Sequence, residues 1–144
     1  MPTFSLALGK KIPRKSILRN RAQPVAFRNY APEIAFYIWC TWRLDSSRSV
    51  VASSDGGEIE ITRGLKRIIG KDLQRITITP PAWDIALHFE PDLRLTAFCD
   101  HAGKNPSFEG NWEACVRGRH VFVGPGTKLV TSACPEDAGS SIKR

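Results

Sequence analysis

The chain has 144 residues, 42% hydrophobic and 24% charged, with a formal net charge of +7. That length suits one domain with one core, and the average composition excludes a wholly disordered chain. No apolar run approaches the roughly 20 residues that span a bilayer as a helix. Phe4 to Leu8 is too short for a secretory signal and precedes the positive charges, so the expected location is cytoplasmic.

The charge is concentrated at one end. Residues 1–30 carry Lys10, Lys11, Arg14, Lys15, Arg19, Arg21 and Arg28 and no acid, whereas residues 31–144 hold fourteen charges of each sign. A block of one sign reads as an interaction segment. The expected organisation is therefore a basic arm over 1–30, an all-β domain over 31–130 and a flexible tail over 131–144.

From Ile34 the apolar period is two. Ile34, Phe36, Ile38, Cys40, Trp42 and Leu44 alternate with a more mixed set that includes Tyr37 and Trp39, which predicts one long strand. Ser47 to Ser53 and Glu58 to Thr62 read as two further strands around the Asp55-Gly56-Gly57 turn. Leu65, Ile68 and Ile69 fall at i, i+3 and i+4 before Gly70, which predicts one short helix from Arg63 to Gly70. Ile76 and Ile78 mark a strand that Pro80-Pro81 ends.

A hairpin follows. Matching apolar to apolar residues pairs Phe89 with Leu93 and Leu87 with Leu95, and sets His88 opposite Arg94 and Asp84 opposite Phe98 on the outer face. Asp100 to Gly110 is a long polar loop, Trp112 to Val116 and Arg119 to Val123 form a second hairpin, and Leu129 with Val130 marks a last edge strand. Gly124-Pro125-Gly126-Thr127-Lys128 lacks the spacing of a phosphate loop and reads as a turn. Seven or eight short antiparallel strands with one helix predict a mainly β fold, an antiparallel β-sandwich or a half-open barrel.

Cys40, Cys99, Cys115 and Cys134 show no zinc or dithiol spacing, so free buried thiols are expected, with a Cys99 to Cys115 bridge as the alternative. Cys99, Asp100 and His101 are the residue types of a nucleophile and its base, but neighbours on a strand point to opposite faces. Asp84, His88 and Glu90 share a face, yet the outer two are too far apart to hold one ion. No metal or other cofactor is implied. Of the four tryptophans, Trp42 and Trp83 fall on core registers, whereas Trp39 lies on the opposite face with Tyr37 and Trp112 starts a strand just after the long loop.

The run Trp83-Asp84-Ile85-Ala86-Leu87-His88-Phe89, the Leu93-Arg94-Leu95 strand ending in Phe98-Cys99-Asp100, then Asn111-Trp112-Glu113 and Val123-Gly124-Pro125-Gly126 resemble small bacterial all-β proteins. Some of these look like immunity proteins of toxin systems. The resemblance implies a sheet scaffold that binds and blocks a toxin.

The leading functional expectation is thus a non-catalytic protein-binding module, an immunity-type inhibitor. Its partner surface is expected at Asp100, His101, Asn105, Glu109, Asn111, Trp112 and Glu113. The alternative is sequence-independent nucleic-acid binding through the seven basic residues of the arm, with Tyr37 and Trp39 as stacking surface. An enzyme built on Cys99, His88 or His101 is the third reading, and a sheet edge offers a contact for a homodimer.

Overall fold

A computed structural model describes residues 3–14, 29–101, 110–116 and 118–133. Among them ten strands and one helix follow in chain order: β1 (Phe4–Pro13), β2 (Tyr30–Ile38), β3 (Thr41–Asp45), β4 (Val50–Ser53), α1 (Glu58–Lys66), β5 (Leu73–Thr79), β6 (Asp84–Phe89), β7 (Leu93–Phe98), β8 (Trp112–Val116), β9 (Arg119–Gly124) and β10 (Lys128–Ala133). They form two five-stranded antiparallel sheets, ordered β1-β2-β8-β9-β10 and β4-β3-β7-β6-β5. The fold is mainly β and sandwich-like, not a closed barrel.

The alternation read from Ile34 to Leu44 holds, because Phe36, Ile38, Cys40, Trp42 and Leu44 are all buried. The single long strand does not. At Trp39 and Cys40 the chain leaves the first sheet and enters the second, so one uninterrupted pattern serves two strands that contribute to the same core. Trp42, Trp112, Phe36, Phe89, Leu87 and Leu95 are among its largest fully buried side chains. Each contributes about 1.5–3 kcal/mol by leaving water.

The hairpin register is as expected: Phe89 pairs with Leu93, Leu87 with Leu95 and His88 with Arg94. The Trp112 to Val116 and Arg119 to Val123 hairpin and the last edge strand are also present. Three expectations change. Glu58 to Thr62 is not a strand but the first half of α1, and the helix ends at Lys66, with a turn running on to Gly70. Glu58 and Glu60 in its first turn and Arg63 and Lys66 in its last match the helix dipole.

Residues 4–13 are not an arm separate from the domain. They are edge strand β1, paired with β2, and Phe4 packs edge-on against Trp42 with ring centroids 4.9 Å apart. Alternating Phe4, Leu6 and Leu8 reach the core, and that burial outweighs the charge of Lys10 and Lys11 further along the strand. The tail likewise starts later, since Thr131 to Ala133 belongs to β10.

Helix α1 lies close on β4 because residue 64 is glycine. A Cβ at Gly64 would stand 2.5 Å from the Cβ of Ala52. The helix-propensity gain of alanine, about 1 kcal/mol, is outweighed by overpacking of about 1–3 kcal/mol. Gly64→Ala is therefore expected to lower stability by about 1 kcal/mol, read as a fall in the urea unfolding midpoint with unchanged slope.

Candidate functional site

Of the expected partner cluster, two residues at the start of β8 are internal. Asn111 and Trp112 are both 0% exposed. The Asn111 N–H donates to the Val123 carbonyl (2.8 Å), and its own carbonyl accepts from the N–H groups of Trp39 (2.9 Å) and Cys40 (3.1 Å). Its side-chain Oδ1 accepts from the His101 N–H at 3.0 Å, and Nδ2 donates to the Gly124 carbonyl at 2.9 Å.

Trp112 faces inward because its strand partners, Ile38 and Val123, do so, and its Nε1–H donates to the Trp83 carbonyl at 2.8 Å. The expected roles of the two tryptophans are thus exchanged, with Trp112 in the core and Trp83 half-buried at its margin. Asp100 is exposed and bonds the Thr41 hydroxyl. Glu113 bonds His120 Nε2 at 2.9 Å, and Ser132 Oγ lies 3.4 Å from His120 Nδ1, so this relay ties three strands across the outer face of the first sheet. Asn105 and Glu109 lie outside the described residues.

The thiol and imidazole of the nucleophile reading do not meet. Cys99 Sγ–H donates to the Trp83 carbonyl at 3.3 Å, while His101 Nδ1 faces the Gly110 carbonyl at 3.2 Å. Cys40 and Cys99 are free and buried. Hydrogen bonding with Cys99, followed by burial, holds the Cys40 thiol far above the ordinary thiol range. Cys99 does not bridge to Cys115. Cys115 is disulfide-bonded, against the expectation of four free thiols, and its partner lies outside the described residues.

Nor do Asp84, His88 and Glu90 converge. Asp84 accepts the Cys99 N–H at 2.8 Å, Glu90 bonds Gln74, and His88 Nε2 lies 3.4 Å from the Thr77 hydroxyl. Among the described residues no group of three His, Cys, Asp or Glu side chains is placed to hold a metal ion.

Of the basic residues proposed for the arm, Lys10 and Lys11 are exposed on β1, and the Lys10 N–H donates to the Glu33 carboxylate at 3.2 Å. Glu33 fits there because residue 9 is glycine, where a Cβ would come within 2.6 Å of the carboxylate. Arg14 is half-buried; Lys15, Arg19, Arg21 and Arg28 lie outside the described residues. Tyr37 and Trp39 share an outer face as expected, their rings stacked at 6.2 Å and 17°.

A different cluster emerges on the outer face of the second sheet. Strand pairing puts Arg75, His88, Arg94 and Asp45 in one row across four strands, and Thr77, Ala86, Thr96 and Arg43 in the next. Arg43, Arg75, Thr77, His88, Arg94, Thr96 and Phe98 line an open depression of about 410 Å³ that no acidic side chain lines. Asp45 sits at its edge, 2.9 Å from Arg43 and 3.6 Å from Arg94. No acidic side chain among the described residues pairs with Arg75. Partial burial, then the charges of Arg75 and Arg94, hold His88 below the ordinary imidazole range.

Apolar matching sets His88 opposite Arg94, but Arg43 and Arg75 come from strands outside that hairpin. The register Arg75–His88–Arg94 was legible only once β5 had been paired with β6.

No helix among the described residues is long and apolar enough to cross a membrane. Comparison with protein-family models, curated proteins and solved structures finds no significant match to this chain.

Because Asn111 is buried, Asn111→Ala strands the His101 N–H and the Gly124 carbonyl, at about 1–3 kcal/mol each. The variant is expected to lose about 2–6 kcal/mol, measured by chemical denaturation, with early loss of amide-exchange protection at His101.

Proposed function

We propose that the protein is a non-catalytic binding module that holds an acidic protein partner against the outer face of its second sheet. The observation that carries this reading is the depression framed by Arg43, Arg75 and Arg94 with no acid in its lining. Guanidinium groups pair with carboxylates through two parallel hydrogen bonds, and arginine and aromatic side chains supply much of the energy at protein interfaces. Thr77 and Thr96 add hydroxyls between the charges, and Phe98 adds an apolar contact.

A protein is favoured over single-stranded nucleic acid by the state of that aromatic ring. Sequence-tolerant nucleic-acid binding relies on free aromatic faces for the bases. Phe98 is the sole aromatic ring other than the His88 imidazole in the lining, and the Arg43 guanidinium lies 5.7 Å from its centroid. The immunity-type inhibitor is the form of this function in which the acidic partner is a toxin, and its blocking surface is then the sheet face, not the strand ends around Asn111.

The probes that test the reading are a glutamate-rich peptide and a single-stranded oligonucleotide of equal charge. Combined Arg75→Glu and Arg94→Glu is expected to weaken peptide binding at least tenfold, about 1.4 kcal/mol. Tighter binding of the oligonucleotide, or an unchanged peptide affinity in the variant, sinks the proposal.

His88 gives a second test through pH. Its depressed folded value means that it is neutral at pH 7 and gains charge only below the ordinary imidazole range. An acidic partner favours the charged form, so affinity for the peptide rises as pH falls below about 6.5, as long as the peptide stays ionised. His88→Gln is expected to flatten that rise, and an NMR titration of the imidazole should move upward when the peptide is bound.

A further inference from the structure

The two sheets have four edges, β1, β10, β4 and β5; β10 opens with Lys128 and exposes one large apolar residue, Val130, whereas β5 exposes two. Among the described residues β5 pairs with β6 alone, through Ile76 with Leu87 and Ile78 with Ile85. Those β6 partners are 1% and 2% exposed, which puts Ile76 and Ile78 on the inner face of the sheet. Yet the two isoleucines remain 37% and 41% exposed.

Edge strands offer unpaired backbone groups to any other chain, and natural sheets blunt them with charges, prolines, bulges, short length or a covering element. β1 carries Lys10, Lys11, Pro13 and a register break between Leu8 and Lys11. β4 has four residues and α1 packed beside it. β5 is a seven-residue strand, Leu-Gln-Arg-Ile-Thr-Ile-Thr, whose only charge is Arg75 on the outer face and whose only irregularity lies between Leu73 and Arg75.

We infer that β5 is a homodimer interface, with a second copy of β5 running antiparallel to the first about a two-fold axis at Thr77. The occupant follows from the order of residues. Pairing about Thr77 sets Ile76 against Ile78 of the second copy and Ile78 against its Ile76, so both exposed isoleucines gain an apolar same-face neighbour. It also sets Arg75 opposite Thr79 and Thr77 opposite itself, a favourable cross-strand pair.

The two copies of Arg75 then stand four residues apart along the strands, roughly 13 Å by strand rise, which lies beyond the screening length of about 10 Å at moderate salt. An axis at Ile76 or Ile78 would instead put one isoleucine opposite itself and leave the other facing a polar or proline residue. Only the Thr77 axis pairs all four isoleucines without opposing like charges.

The dimer joins the two sheets into one ten-stranded sheet and sets the two arginine-lined depressions side by side, since Arg75 and Thr77 line each. It rests on the β5 edge and does not depend on the acidic-partner reading.

Two measurements test it on the full chain. Sedimentation velocity is expected to show a concentration-dependent dimer, and Ile76→Thr with Ile78→Thr, which keeps β-branched residues on an exposed strand, is expected to weaken it at least tenfold while leaving the circular dichroism spectrum unchanged. A wild-type protein that stays monomeric, or a dimer indifferent to both substitutions, overturns the inference.

Register is tested by cysteine cross-linking with glutathione disulfide as the oxidant. The two thiolates become one disulfide, and the glutathione disulfide is reduced to two glutathione thiols. Opposed Cα atoms at a two-fold strand axis lie about 4.5–5.5 Å apart, within disulfide range. Thr77→Cys is expected to yield a covalent dimer and Thr79→Cys none. Equal cross-linking at both positions, or at neither, overturns the Thr77 axis.

Discussion

The sandwich depends on how one buried amide is satisfied. Asn111 lies where β2 gives way to β3, where the segment after β7 passes over the end of the sheets, and where β8 begins. A polar side chain shut away from water costs free energy unless each group finds a partner. The Asn111 side chain bonds His101 and Gly124, and its backbone adds bonds to Trp39, Cys40 and Val123, five in all. The two N–H groups released where the strand ladder breaks share one carbonyl oxygen, so the chain can change sheets without stranding a donor in the core. Trp112, the next residue, adds a large apolar side chain at the same corner and ties it to Trp83. The corner is therefore fixed both by polar satisfaction and by packing.

With the inner faces committed to the core, chemistry is left to the outer faces, and these differ. The first sheet presents the stacked pair Tyr37 and Trp39 and the linked set Glu113, His120 and Ser132. The second presents Arg43, Arg75 and Arg94 with only Asp45 bonded among them. Antiparallel pairing converts residues scattered over fifty positions of sequence into two adjacent rows. Partial burial, then the charges of Arg75 and Arg94, lower the proton affinity of His88 there. A surface of this kind is held open by the rigidity of the sheet and needs no moving part.

The cysteines divide by depth. Cys40 and Cys99 are inner-face residues whose thiols take part in hydrogen bonding at the corner beside Asn111. They behave as small, inert core residues. Cys115 faces the other way on β8, in the row of Ala35 and His120, and is the disulfide-bonded one among the described cysteines. Side-chain alternation along a strand thus separates structural thiols from a cross-linked one.

What the amino-acid sequence determined by itself was local. Period-two patterning from Ile34 onward identified the strand segments and their inward faces, and apolar matching across Pro91-Asp92 determined the β6–β7 register, because a one-residue slip would have turned Leu87 and Leu95 to water. The mainly β class followed from the number of such segments. Where local signals conflict, tertiary packing decided. Glu58 to Thr62 alternates like a strand but forms a helix that rests on β4 through Gly64. Lys10 and Lys11 read as an arm, but burial of Phe4, Leu6 and Leu8 draws their segment into the first sheet. Asn111 and Trp112 read as partner surface, since nothing local reveals that Trp39, Cys40 and Gly124 will surround them. The arginine array was likewise invisible, because strand order between distant segments is set by which faces must share one core, and that is a property of the assembled sheets.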